Sequence, residues 1–178
     1  DGSNSSKLSV KKFNGTTWIN VGPTNITTSG AYFISMTFNK KTNIPYISFQ
    51  DGGLSKVAVV KLNGSSWTML DNNGIAAGTW TSIAVDTINA IPYVAYQDNA
   101  LNPKGATVKK FNGTSWSTVG TQGFTQQIGP AQNIQIEVDK NSIPYVSCNL
   151  NGNSAYIYKF NGTSWETLGM TPLFLYTY

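Results

Sequence analysis

The chain has 178 residues, a formal net charge of +4 at pH 7, and twelve lysines but no arginine or histidine. Its aromatic content of 12% is too high for a disordered chain, and its length suffices for one domain with a hydrophobic core. Proteins that read nucleic acids rely on arginine for bidentate contacts, so the composition argues against a nucleic-acid partner. Glycine, serine, threonine and asparagine are abundant, which favours strands joined by tight turns.

One sequence unit recurs along the chain. Four hexapeptides of the type FNGTSW follow one another at a constant spacing of 49 residues, beginning at Phe13, Leu62, Phe111 and Phe160. A second motif of the type IPYVAYQD precedes three of them, beginning at Ile44, Ile91 and Ile143. Such self-similarity is typical of repeat architectures.

Each unit is predicted to contain four antiparallel strands. In the central unit these are Ser82–Val85, the PYVAYQ segment that follows Ile91, Ala106–Phe111 and Ser115–Gly120. Asn-Gly joins the third and fourth strands, and this dipeptide is a strong hairpin signal because both residues tolerate positive φ. In chain order, the pattern predicts a partial unit over 1–22, units over about 31–70, 79–120 and 131–169, and a final strand over 170–178.

Four-stranded units of this length are typical of β-propeller blades. The pattern PYVAYQD…VKKFNGTSWSTVG resembles the repeats of secreted bacterial kelch-like or sialidase-like β-propeller proteins, over essentially residues 1–169. The resemblance implies an all-β propeller of about four four-stranded blades, the last incomplete, in an extracellular protein. The Asp-box of sialidase repeats is absent, so the resemblance implies no catalytic residue.

Two kinds of residue are predicted to belong to the core. Large aromatic side chains bury much apolar area, and four repeat-equivalent tryptophans are expected to pack between neighbouring blades: Trp18, Trp67, Trp116 and Trp165. The single cysteine, Cys148, occupies the position of Phe49 and Tyr96 in the other units. It is therefore expected to be a small apolar core residue and not a reactive thiol.

The C-terminal segment is predicted to be a strand without its own sheet. It mirrors the IPYVAYQD motif, since Pro172 matches Pro92 and Tyr176 matches Tyr96. Its apolar character requires a cover. Three interpretations stay open: closure of the chain's own ring, donation to a neighbouring molecule, or truncation of a longer propeller. Donation would be head-to-tail self-association and would build a fibre through Pro172, Leu173, Phe174, Leu175 and Tyr176.

The sequence indicates no catalytic residue, metal site or cofactor. General acid–base catalysis needs a tuned pair of groups, whereas the carboxylates of Asp86 and Asp139, and of Asp51 and Asp98, occupy equivalent repeat positions and are expected to fix turns and strand ends. No Cys/His cluster and no calcium-loop motif occurs. No apolar run approaches the length needed to span a membrane, so membrane insertion is not predicted.

Six sequons raise the question of attached sugar: Asn4, Asn14, Asn25, Asn63, Asn112 and Asn161. Four of them are the Asn-Gly hairpin tips, so asparagine is explained by the turn alone. The alternative is N-glycosylation of a secreted chain. Both interpretations stay open.

Two functions are weighed above catalysis. The main hypothesis is an extracellular structural or adhesive protein that self-associates head-to-tail. The alternative is a carbohydrate-binding propeller with glycan partners, for which the candidate residues are Trp80, Tyr32, Gln50 and Gln97. The paired lysines of two repeats are expected on an outer or edge strand, where lysine opposes aggregation: Lys11, Lys12, Lys109 and Lys110.

Overall fold

A computed structural model describes residues 6–71, 73–152 and 154–168 of the chain. These residues form fourteen strands: β1 (Lys11–Phe13), β2 (Trp18–Asn20), β3 (Ala31–Asn39), β4 (Ile44–Asp51), β5 (Lys56–Asn63), β6 (Ser66–Met69), β7 (Ala76–Asp86), β8 (Ile91–Asp98), β9 (Ala106–Phe111), β10 (Trp116–Thr118), β11 (Ala131–Val138), β12 (Pro144–Leu150), β13 (Ser154–Phe160) and β14 (Trp165–Thr167). Within the described ranges, no helix has the length and apolarity needed to cross a bilayer. The prediction of an all-β chain is confirmed.

The strands form one hairpin and three blades, each blade being four antiparallel strands in chain order. We call β1–β2 the N-terminal hairpin, β3–β6 blade I, β7–β10 blade II and β11–β14 blade III. Successive units are also joined by backbone hydrogen bonds at one end. Lys56 and Val57 pair with Ala77 and Ala76 between blades I and II. The N–H of Ala131 likewise donates to the carbonyl of Lys104, at 3.0 Å, between blades II and III.

The hairpin tips form as the Asn-Gly signal predicts. In blade II, the Oδ1 atom of Asn112 accepts hydrogen bonds from the backbone N–H groups of Thr114 (2.9 Å) and Ser115 (2.8 Å). The side chain thereby replaces a backbone acceptor inside the turn. In blade I the ladder continues to the pair Asn63–Ser66, which leaves a tighter turn at the tip. These bonds account for the asparagine without any attached sugar.

The core lies between the blades. One repeat position on the first strand of each blade shows this: the side chain is 52% exposed for Met36 of blade I, but 4% for Ile83 and 3% for Ile136. In blades II and III a preceding blade covers this position, whereas none of the described residues covers it in blade I. This face of each sheet is therefore buried by the sheet before it.

The opposite face of the blades shows the same dependence on a neighbour. Val59 of blade I and Val108 of blade II are fully buried, because the following blade covers them. Their equivalent in blade III, Ile157, is 36% exposed. In the described part of the chain, the first face of blade I is thus open at β3, while Leu8 and Val10 cover the rest of it, and the last face of blade III is open at Ile157.

Tryptophan indoles connect successive units. The Nε1–H of Trp67 in blade I donates to the carbonyl of Val21 at 2.8 Å, and that of Trp165 in blade III donates to the carbonyl of Val119 at the same distance. Trp116 packs at the junction of blades I and II, but its buried nitrogen has no described partner. For these three residues the predicted packing between blades is confirmed.

The predicted packing of Trp18 between blades stays a prediction, because the final strand lies outside the described residues. Trp18 lies in the N-terminal hairpin and is 66% exposed. Among the described residues, its aromatic neighbour is Phe13 of the same hairpin, with ring centroids 5.8 Å apart. In the other repeats, the preceding unit packs against the indole at this position. The described residues contain no such unit before the N-terminal hairpin.

A glycine makes room for the indole where the hydrogen bond forms. A Cβ on Gly120 would lie 2.9 Å from the ring of Phe160 and 3.0 Å from that of Trp165. Asp71 stands at the equivalent position between blades I and II. At this junction the indole nitrogen of Trp116 has no described partner.

Cys148 and two tyrosines are core residues. Burial raises the pKa of the Cys148 thiol to about 12, so it carries no thiolate at neutral pH. This confirms the prediction of an unreactive core cysteine. The hydroxyls of Tyr96 and Tyr158 are buried without a described partner, and burial raises the pKa of both groups.

Two predicted features lie outside the described residues. They are the final strand over 170–178, with its segment Pro172–Tyr176, and the sequon at Asn4. For Lys109 and Lys110, predicted on an outer or edge strand, the edge position is excluded. Their strand, β9, is bonded to β8 on one side and to β10 on the other, so the edge strand is β10.

Substitution of Gly120 tests the packing of the indole against the backbone. Gly120 and Gly64 have similar positive φ values, 68° and 61°, but nothing lies within 4 Å of a Cβ at Gly64. Gly64→Ala should lower the free energy of unfolding by about 1–2 kcal/mol through backbone strain alone. Gly120→Ala should cost about 1–3 kcal/mol more because of overpacking. Urea unfolding followed by circular dichroism measures both, and equal losses would contradict the packing argument.

The indole hydrogen bond is tested by paired tryptophan variants. Trp165→Phe removes the bond to Val119 and leaves a buried carbonyl without its donor, whereas Trp116→Phe removes a nitrogen that has no partner. Both substitutions replace an indole by a phenyl ring and so remove a similar ring area. We expect Trp165→Phe to be more destabilising by about 1–3 kcal/mol in the same unfolding measurement. A larger loss for Trp116→Phe would show that Trp116 makes a bond in solution.

Candidate ligand clefts between blades

Two concave clefts lie at equivalent positions between successive blades. Cleft 1, between blades I and II, is lined by Tyr46, Lys61, Leu70, Pro92, Phe111 and Asn112, among others. Cleft 2, between blades II and III, is lined by their repeat equivalents Tyr93, Lys110, Val119, Pro144, Phe160 and Asn161. The same construction therefore occurs at both junctions.

The clefts have the size of small-ligand pockets. Their volumes are about 280 Å³ for cleft 1 and 460 Å³ for cleft 2. Pockets for small ligands combine apolar and aromatic walls with a few polar groups that fix orientation. Each cleft has this composition, with tyrosine, proline and phenylalanine beside one lysine and one asparagine at equivalent positions.

Strand pairing places the tyrosine and the lysine on one wall. Tyr46 of β4 lies directly opposite Lys61 of β5, and Tyr93 of β8 lies directly opposite Lys110 of β9. Directly paired residues of antiparallel strands project from the same face of the sheet. The residue before each tyrosine is a proline, whose missing N–H is tolerated at the start of the strand.

The following blade supplies the second wall from its Phe-Asn-Gly hairpin. Phe111 packs against Trp116, with ring centroids 5.2 Å apart, and Phe160 packs in the same way against Trp165 at 5.3 Å. These indoles hold the phenylalanine rings in place beside the clefts. Aromatic faces of this kind stack on the apolar faces of ligands.

An aspartate fixes the turn between the first two strands of a blade, and this turn also borders the cleft. Asp86 ends β7, and its Oδ1 atom accepts from the backbone N–H of Ile88 at 2.9 Å. Burial acts to raise the pKa of Asp86, but hydrogen bonds from Asn89, Ser142 and backbone N–H groups outweigh it and hold the pKa below its ordinary value. In blade III, the backbone N–H of Asn141 donates to Asp139 at 2.8 Å. The predicted role of these carboxylates in turns is confirmed.

The tyrosine hydroxyls stay protonated at neutral pH. Burial raises the pKa of Tyr46. Burial also raises the pKa of Tyr93, with a further contribution from the negative charge of Asp86. Both hydroxyls are therefore able to donate and to accept a hydrogen bond.

Charged groups distinguish the two clefts. Among the described residues that line cleft 1, Lys61 is the one charged side chain. Cleft 2 has Lys110, Lys159 and Glu166. The amide of Asn161 donates to Glu166 and to the hydroxyl of Ser164, so this carboxylate already has a partner.

Sequons divide between the clefts and the rest of the surface. Asn112 lines cleft 1 and Asn161 lines cleft 2. Asn14, Asn63 and Asn25 are exposed elsewhere. Glycosylation of these asparagines stays a prediction. Sugar attached to Asn112 or Asn161 would project at the mouth of a cleft.

The sugar-binding candidates from the sequence do not line the clefts. Trp80 packs against Phe33 with the rings tilted by 46° and their centroids 5.0 Å apart, at a bulge in the first strand of the blade. Gln97 is buried, and its amide nitrogen donates to the carbonyl of Ala131 at 2.6 Å, so it serves the junction of blades II and III. Tyr32 and Gln50 are paired across β3 and β4.

Sequence reasoning overlooked the tyrosine–lysine pairs. The signal was present, because Tyr46 and Tyr93 follow the proline of equivalent motifs, and Lys61 and Lys110, 49 residues apart, come directly before equivalent hairpins. The sequence pattern alone does not show the strand register that brings each tyrosine opposite its lysine. Across the described ranges, no group of three or more His, Cys, Asp or Glu side chains is arranged to hold a metal ion.

Comparison with known proteins gives similarity in structure but not in sequence. No protein-family profile and no curated protein matches the chain. A fucose-specific lectin from Aleuria aurantia is similar over 95% of this chain and 54% of its own length, with a TM-score of 0.64 and 16% identity. The chain thus spans about half of that lectin.

Two further structures extend the comparison. A fucose lectin from Kordia zhangzhouensis matches 78% of this chain and 99% of its own, with a TM-score of 0.53 and 12% identity. A family 43 glycoside hydrolase, an arabinoxylan arabinofuranohydrolase from Bacillus subtilis, matches 79% of this chain and 41% of its own, with a TM-score of 0.51 and 14% identity.

Identities this low establish the fold alone. The predicted kinship with kelch-like or sialidase-like repeats stays a prediction, since no sequence family supports it. The four-stranded antiparallel units, their stacking and the structural matches agree. The chain has the β-propeller fold.

Proposed function

We propose that this protein is a carbohydrate-binding propeller that holds saccharides in the clefts between its blades. The observation that carries the proposal is the repetition of one cleft: equivalent tyrosine, lysine, proline, phenylalanine and asparagine side chains line both junctions. An aromatic wall beside hydrogen-bonding groups suits a sugar ring, which has an apolar face and hydroxyl groups at its edge.

The structural comparisons support the proposal as analogy. Two of the matching structures are described as fucose lectins, one of them bound to methyl-fucoside. Fold alone does not determine function, because propellers also carry enzymes such as the matching glycoside hydrolase. Binding without catalysis is favoured here because Asp86 and Asp139 are held by turn hydrogen bonds. We also propose an extracellular location, where such glycans are displayed.

The proposal is tested by glycan binding and by loss of the cleft hydroxyls. A glycan array with neutral and acidic saccharides identifies ligands, and calorimetry then measures their affinity. The double variant Tyr46→Phe/Tyr93→Phe keeps both rings but removes one hydrogen-bonding group from each cleft. We expect a loss of affinity of about 2- to 10-fold at each cleft, the value of one hydrogen bond.

Tyr96→Phe is the matched control. Tyr96 is fully buried away from both clefts, and its hydroxyl has no described partner. This variant should bind saccharides as the unmodified chain does. Absence of binding to every glycan at high protein concentration would refute the proposal, and unchanged affinity in the double variant would place the site elsewhere.

A second proposal is self-association through the open face of blade I. This face consists of Ile34, Met36 and Phe38 on β3, which are 53%, 52% and 44% exposed. Its equivalents in blades II and III are covered by a preceding blade, so a blade of a second copy fits it. Such a contact is head-to-tail, which builds a ring or a filament. The predicted donated strand Pro172–Tyr176 lies outside the described residues.

Light scattering after size exclusion tests self-association over a range of concentrations. Met36→Lys places a charge on the open face and should give a monomer, because burial of an unpaired charge is costly. Leu54→Lys changes an exposed leucine in the turn after β4 and should associate as the unmodified chain does. An unmodified chain that stays monomeric at every concentration would contradict this second proposal.

A further inference from the structure

The lysine of each cleft belongs to a pair that all three blades repeat. Tyr46 pairs with Lys61, Tyr93 with Lys110, and Tyr145 with Lys159. In blade III the ammonium of Lys159 lies 5.9 Å from the centroid of the Tyr145 ring. The pairing thus places a positive charge beside a tyrosine at the same point of every blade.

Carboxylates near the clefts are already engaged. Asp86 and Asp139 accept backbone N–H groups in the turns that open the blades, and Glu166 accepts from the amide of Asn161. No carboxylate is among the described residues that line cleft 1. In cleft 2, Glu166 lies directly opposite Lys159 across β13 and β14 and balances its charge. Lys61 of cleft 1 and Lys110 of cleft 2 are therefore left as positive charges that a ligand can neutralise.

A lysine suits a single anionic group. Its ammonium is a compact charge, whereas arginine provides the planar fork that binds phosphate in two places. The chain has no arginine or histidine, so lysine is the one cationic side chain that can bind a negative ligand. A carboxylate next to an ammonium and a tyrosine hydroxyl can accept a hydrogen bond from each.

We propose that clefts 1 and 2 select saccharides that carry a carboxylate, such as uronic acids, and that Lys61 and Lys110 bind this group. This inference rests on the proposed carbohydrate binding and defines its ligand class. The tyrosine and phenylalanine contact the sugar ring, and the lysine distinguishes an acidic sugar from a neutral one. Because the lysines are partly or fully accessible to solvent, the preference weakens as salt is added.

The test compares one oligosaccharide in two forms. A glucuronate-containing tetrasaccharide and the same compound with its carboxylates reduced to alcohols are titrated into the protein at low ionic strength. We expect the acidic form to bind at least tenfold more tightly. The variant Lys61→Gln/Lys110→Gln should lose this preference and bind both forms equally.

The variant Lys40→Gln/Lys41→Gln is the control for overall charge. It removes the same two charges from an exposed turn that lines neither cleft, and it should keep the preference. Equal binding of the two forms by the unmodified protein would overturn the inference. So would a preference that survives in Lys61→Gln/Lys110→Gln.

Failure of this inference is distinguishable from failure of the proposed function. If the reduced form binds as tightly as the acidic form and Tyr46→Phe/Tyr93→Phe weakens both, the clefts bind sugars without selecting acids. If neither form binds and the glycan array shows no other ligand, the proposed function fails together with the inference.

Discussion

The whole structure depends on burial of one sheet face by the next sheet. A four-stranded blade has two apolar faces and can cover neither by itself. Ile83 and Ile136 are buried because a preceding blade lies over them, while Met36 at the same repeat position is open. The indoles of Trp67 and Trp165 add a directional bond across two of these junctions. Stability therefore resides in the junctions more than in any single blade.

The clefts follow from this stacking. Each junction brings the paired tyrosine and lysine of one blade against the hairpin of the next, and the repeat makes the two clefts alike. Because each added repeat rebuilds the same cleft, the number of clefts rises with the number of repeats. If the clefts bind sugars as proposed, two weak sites on one chain give avidity for a ligand that presents repeated sugars, provided that their spacing allows simultaneous contact.

Charge is distributed so that the acids stabilise the fold while the lysines remain available. Asp51, Asp86 and Asp98 are buried and accept hydrogen bonds from turn or loop groups. The turn bonds of Asp86 hold its pKa below the ordinary value, so it stays ionised. Lys61 and Lys110 are fixed by strand register beside tyrosines and face the clefts. The carboxylates therefore stabilise the fold, and the lysines are the charges that the proposed ligand would meet.

The sequence by itself determined the repeat, the strands, the Asn-Gly hairpins and the burial of Cys148, because these depend on local pattern and on equivalence between units. Only the tertiary structure decided which faces are covered, and this explains why Trp18 is exposed although its repeat equivalents are packed. It also decided that Asn112 lines a cleft and that the nitrogen of Trp116 has no described partner. The physical reason is that contacts between blades join residues about one repeat apart, and their geometry depends on how two whole sheets pack.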